Sequence, residues 1–103
     1  MAGYGKMMQQ MAKMQRDMEK KQAELDATEF VGTAGGSAVE ITVNGKREVL
    51  NLSIMDELVD VEEKEELIDM LKIAINDALN KVEVETDKAM SKFSGGANIP
   101  GLF

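Results

Sequence analysis

An Asn-Gly pair set between two alternating apolar runs constrains this chain more than any other stretch. Val39, Ile41 and Val43 alternate with Glu40 and Thr42, the period-two pattern of a half-buried strand. Asn44-Gly45 follows at once and predicts a type I′ hairpin turn, whose two central residues both need positive φ. Beyond it Leu50, Leu52 and Ile54 share one face of a strand, with Asn51 and Ser53 on the other. Upstream, Phe30 and Val31 lead into Gly32 and then Gly35-Gly36, the punctuation of an earlier hairpin. Residues 29–54 therefore read as a three-stranded antiparallel meander with one apolar face. A sheet of this size cannot bury that face unaided, so the flanking segments must cover it.

Both flanks are helical in pattern. Residues 1–5 hold two glycines and are expected to be loose. From residue 6 to 27, Met7, Met11, Met14, Met18 and Leu25 form an a/d-like stripe that Lys21 interrupts. On the other side, Asp60 with Glu63 forms a capping-box pattern. Glu62, Glu63, Glu65 and Glu66 suit the positive end of a helix dipole. Leu67, Leu71, Ala74, Ala78, Val82, Ala89 and Phe93 then recur at helical spacing, so a helix is expected over 61–93. Residues 94–103, with Gly95-Gly96 and Pro100, read as a flexible tail. The fold expected is α+β, one domain of order α-β-β-β-α. The helices would run roughly 33 and 48 Å, past strands of roughly 20 Å. Their overhanging apolar stripes call for self-association. A homodimer joined through the sheet is expected, with Val39, Ile41, Val43, Leu50, Leu52 and Ile54 at the contact.

Composition closes off several kinds of chemistry. The chain has no Cys and no His, which removes disulfides, thiol nucleophiles, soft-metal sites and imidazole catalysis together. Ser37, Ser53, Ser91 and Ser94 have no histidine in the chain to activate them, so neither an enzyme nor a small-molecule substrate is expected. Gly32-Thr33-Ala34-Gly35-Gly36-Ser37 lacks the lysine of a phosphate loop and leads into a strand, so it reads as a turn. No signal-like or membrane-spanning run is present, and a cytoplasmic protein without membrane contact is expected.

The net charge of −7 is uneven. Residues 1–25 carry five Lys/Arg against three acids, whereas 26–61 carry two against seven and 62–103 five against nine. Lys6, Lys13 and Lys20 repeat every seven positions, and Arg16 lies one turn from two of them. These four share a helix face roughly opposite the methionines. Lys46 and Arg47 sit at the second turn, and Lys88 and Lys92 form an i, i+4 pair near the end of the last helix. The plain interpretation is a solvated face with ion pairs such as Arg16 with Glu19 or Lys20 with Glu24. The sharper one is contact with nucleic-acid phosphates. The methionines likewise suit either a core or dimer seam or an adaptable groove for protein partners.

Several stretches together resemble the YbaB/EbfC family of bacterial nucleoid-associated proteins. They are residues 7–25 (MMQQMAKMQRDMEKKQAEL), 31–36 (VGTAGG), 39–45 (VEITVNG), Asn76-Asp77-Ala78 with Lys81, and the closing 95–103. The resemblance implies a homodimer with projecting helices, no cofactor, and binding of double-stranded DNA with little sequence preference. It places the protein in the nucleoid, organising DNA or tuning transcription. It maps DNA contact onto Lys6, Lys13, Arg16 and Lys20, with Lys88 and Lys92 assisting. The family commonly has Asp-Pro after the third strand, where this chain has Asp56-Glu57. The alternative is a prefoldin-like protein-interaction module that holds clients on its Met-rich helices.

Overall fold

The computed structural model describes residues 2–93. Helix α1 (Ala2–Ala27) leads into strands β1 (Glu29–Ala34), β2 (Val39–Asn44) and β3 (Val49–Ile54). Two 3-10 turns follow, Asp56–Leu58 and Val61–Glu63, and then helix α2 (Lys64–Ser91). The sheet is an antiparallel meander in the order β1-β2-β3, so the α-β-β-β-α fold expected from the sequence is the fold observed. Among the described residues no helix is long and apolar enough to cross a membrane. The tail expected over 94–103 lies outside the described residues.

One face of the sheet carries Phe30, Gly32 and Ala34 from β1 opposite Val43, Ile41 and Val39 from β2. Helix α2 lies across this face and contributes Ala74, Ala78 and Val82, all fully buried. The approach is close because the facing residues are small. A Cβ on Gly32 would stand 2.1 Å from the Ala74 carbonyl oxygen and 2.5 Å from the Ala78 nitrogen. Leu58 closes the end of this core, with Leu67, Met70, Leu71 and Ile54 at its margin. Burial of Phe30, Ile41 and the valines stabilises the fold by about 1.5–3 kcal/mol apiece. Because α2 lies over β1 and β2, β3 overhangs: Leu50 is 51% exposed and Leu52 47%.

Four local expectations are corrected. The segment expected to be loose at 1–5 is helical from Ala2, with Gly3 and Gly5 inside α1. Asp60 does cap, but its carboxylate accepts the Glu62 N–H at 2.9 Å and opens a 3-10 turn, so α2 proper begins at Lys64. Helix α2 ends at Ser91, and residues 92 and 93 form a turn rather than its last residues.

The second hairpin is not a two-residue type I′ turn. The Arg47 N–H donates to the Asn44 carbonyl at 2.9 Å, and the Asn44 side-chain oxygen accepts from the N–H of Lys46 and Glu48. Positive φ falls on Arg47 rather than on Gly45, and a bulge at Thr42/Val43 brings Val43 opposite Val49. Gly45 is required for a different reason, since a Cβ there would stand 1.9 Å from the Leu25 carbonyl oxygen at the foot of α1. Paired positive φ instead occurs in the first hairpin, at Gly36 and Ser37, inside a turn closed by the Ala38 N–H on the Gly35 carbonyl.

Candidate nucleic-acid interface

Helix α1 is an arm rather than a layer of the core. Among its described side chains only Leu25, near its C-terminus, is buried, and every one from 3 to 20 is exposed. At about 1.5 Å per residue the helix is roughly 39 Å long, which accounts for much of the 74 Å long axis of the molecule. It stays helical on local grounds. From Lys6 to Ala27 there is no Gly or Pro, and most residues are Met, Gln, Lys, Glu and Ala.

The arm presents two faces. At about 100° per residue, Lys6, Lys13, Arg16 and Lys20 fall within an arc of roughly 80°. All four are exposed, and among the described residues none makes an ion pair. The pairs expected for Arg16 and Lys20 do not form; Glu24 is instead 3.7 Å from Lys21. The opposite face carries Met7, Met11, Met14 and Met18, between 38% and 62% exposed, in line with Leu25.

Leu25 is where α1 meets α2. A shallow groove between the helices is lined by Lys21 and Leu25 on one side and Glu85, Lys88, Ala89 and Lys92 on the other. A second depression beside it joins Asp17, Lys20, Lys21 and Glu24 to Phe93. The two helices therefore run antiparallel here, and α1 continues past the end of α2. Lys21 is thus brought beside Lys88 and Lys92, which lie far along the chain, and Lys20 beside Phe93. Lys88 keeps a long contact of 4.0 Å to Glu85, and Lys92 is exposed. Lys6, Lys13 and Arg16 stand further out along the arm.

Lys21 is the member of this cluster that sequence reasoning missed. It stood out only as a break in the apolar stripe. A lysine on a helix seam, one turn before the buried Leu25, was the available sign that the seam runs out of a partner there. Lys46 and Arg47 are exposed at the second turn, next to the Gly45–Leu25 contact at the foot of the arm.

The expected dimer residues divide into two groups. Val39, Ile41 and Val43 are buried under α2 of the same chain, so their side chains are not available to a second copy. Leu50 and Leu52 are exposed and Ile54 is half-buried. On the flank of α2 turned toward β3 lie Ile68 and Ile75, also exposed, and half-buried Leu79. The flank turned toward β1 is mixed, with exposed Val84 near Phe30 and with Asp77 and Lys81 reaching the strand. There the Asp77 carboxylate accepts the Thr33 N–H at 3.1 Å, and the Lys81 ammonium donates to the Val31 carbonyl at 2.7 Å. The Thr33 hydrogen bond, with Lys81 beside it at 3.4 Å, holds the Asp77 carboxyl below its ordinary range. Far from the arm, Glu63 is raised by its hydrogen bond and charge contact with Glu66.

Comparison with known proteins agrees with this architecture. Residues 1–97 match the YbaB/EbfC DNA-binding family. A nucleoid-associated protein of Alkaliphilus metalliredigens is 47% identical over 97 residues, covering 94% of this chain and 85% of that protein. A nucleoid-associated protein of Clostridium novyi is 44% identical with the same coverage. The crystal structure of the uncharacterized protein HP0035 from Helicobacter pylori superposes with a TM-score of 0.73 at 25% identity, over 86% of this chain and 94% of that one. On the whole-length family match and these identities, the chain belongs to the YbaB/EbfC DNA-binding family.

Proposed function

We propose that this protein binds double-stranded DNA in the nucleoid as a homodimer, with little sequence preference, and so helps organise the nucleoid or regulate genes. The observation that carries this reading is the unpaired basic arc on α1. Four exposed cations on a projecting helix have no acidic partner among the described residues, although the chain as a whole is acidic. Such an arc can lie along a phosphate backbone while the acidic body stays clear of it. Lys6, Lys13, Arg16 and Lys20 contact phosphates, and Lys88 and Lys92 assist from the adjacent end of α2. These side chains are assigned to phosphates and not to base edges, so sequence preference would come from DNA shape.

A second copy sits most readily on the overhanging strand. Leu50, Leu52 and Ile54, with Ile68 and Ile75 on α2, form an uncovered apolar surface beside an open strand edge. Strand β3 has no charged residue in six, so two copies of a −7 chain can meet there without like charges opposed.

The test is a polarisation titration of duplex DNA at roughly 50 and 200 mM salt, where nonspecific affinities of about 10⁻⁴–10⁻⁶ M and a steep salt dependence are expected. Combined Lys13→Ala, Arg16→Ala and Lys20→Ala substitutions should weaken binding on every sequence alike and flatten the salt slope. Equal, negligible binding by both proteins at low salt would rule the reading out. The exposed methionine face keeps a second reading, a holdase for unfolded clients. Suppression of client aggregation without any DNA binding would favour it.

A further inference from the structure

The sheet has two edge strands, and only one is open. Thr33 N–H and Val31 C=O are the central outward-facing groups of the β1 edge, and both are occupied by side chains from α2. Asp77 and Lys81 lie one helical turn apart, 3.4 Å from each other, and together they take up a donor and an acceptor that an incoming strand would need. On β3 no side chain of the described residues hydrogen-bonds the backbone of Val49–Ile54, and its six residues are uncharged. The flanks of α2 differ accordingly: Asp77 and Lys81 reach the β1 edge, whereas Ile68, Ile75 and Leu79 lie on the opposite flank.

A protomer with two open edges can add copies end to end without limit. A protomer with one open edge uses it up in a two-fold pair. We infer that the Asp77–Lys81 pair seals the β1 edge, so that a second copy of this chain joins only at β3 and assembly stops at two. The inference rests on the reading that the second copy occupies β3. It adds a role for two residues that touch neither DNA nor the partner: they deny a strand-pairing site to any further copy.

The experiment is light scattering of the full chain across micromolar to submillimolar concentration, with circular dichroism to confirm folding. The wild type should hold the mass of two chains throughout. A combined Asp77→Ala and Lys81→Ala variant should grow with concentration to about twice that mass or more. Adding Val31→Lys to that variant should return it to two chains, because a lysine on an edge strand opposes pairing. Asp77→Asn keeps an acceptor for Thr33 and should remain at two chains. A wild type of one chain would overturn the β3 dimer itself. A two-chain wild type with a folded double variant that also stays at two would overturn the seal while leaving the dimer intact. If the double variant does not fold, Lys81→Ala alone decides, since it frees the Val31 carbonyl: growth supports the seal and a constant two-chain mass overturns it.

Discussion

Among the described glycines, Gly32 and Gly45 leave the least room between their Cα and a neighbouring backbone, and neither has positive φ. Gly32→Ala sets a methyl against backbone atoms of α2 that cannot yield without moving the helix, and should destabilise by about 3 kcal/mol. Gly35→Ala meets the flexible end of Met70 at 2.8 Å and the Ala38 Cβ at 3.3 Å, with no backbone atom in the way, so its effect is mostly that of positive φ, about 1–2 kcal/mol. Urea midpoints of the two variants would expose a reversed order. The sequence marks these glycines as turn or strand breakers but cannot say which one accommodates a neighbour. Gly45 shows this: an Asn-Gly pair points to a turn by its φ preference, whereas here the missing Cβ admits the Leu25 carbonyl and Arg47 takes the left-handed conformation.

Asp77 adds a pH dependence at the same scale. Its carboxyl is held below the ordinary range first by the Thr33 N–H and then by Lys81. A lowered folded-state value gives a stabilisation that is complete above the ordinary aspartate range and fades as pH falls through the lowered value. The melting-temperature gap between wild type and Asp77→Asn should therefore be widest near neutrality and close in acid. A gap that is constant with pH would mean that the charge contributes nothing.

At the scale of elements, alternation in β2 identified Val39, Ile41 and Val43 as an inward row, and the structure buries all three. The same alternation in β3 could not reveal that α2 crosses only the first two strands. Periodicity states which residues share a face, whereas coverage depends on where the helix lands, and the Gly32–Ala74–Ala78 contact sets that. The basic arc on α1 was legible because it lies within one helix. The meeting of Lys21 with Lys88 and Lys92 was not, since it needs the antiparallel packing of two helices distant in sequence. The N-terminal bound was misplaced because Gly3 and Gly5 weaken a helix without ending it. Nothing lies within 4 Å of a Cβ at either position. Gly5→Ala should therefore strengthen the start of α1 by about 0.8–1 kcal/mol with no steric cost. Slower amide exchange over the first turns of α1, with the core unchanged, would show it.

For the whole molecule the question is how a chain of net charge −7 approaches a polyanion. Distance answers it. The acidic stretch that opens α2, with Glu62 in the preceding 3-10 turn and Glu65 and Glu66 in the first helical turn, is separated from Lys88 and Lys92 by about the length of that helix, roughly 42 Å. At physiological salt the screening length is about 8 Å, so the acidic end is electrically remote from the arm; at about 0.01 M salt it is roughly 30 Å and the repulsion is felt. Combined Glu62→Gln, Glu65→Gln and Glu66→Gln substitutions should therefore raise DNA affinity in dilute salt, with the gain vanishing near 150 mM. The arm variant behaves oppositely. Losing Lys13, Arg16 and Lys20 from both copies removes up to six phosphate contacts, so the log–log salt slope should fall by as much as about 5, at about 0.9 per contact. A glutamine variant whose gain persists at high salt would place the acidic end against the DNA, and the arm would then not be the primary contact.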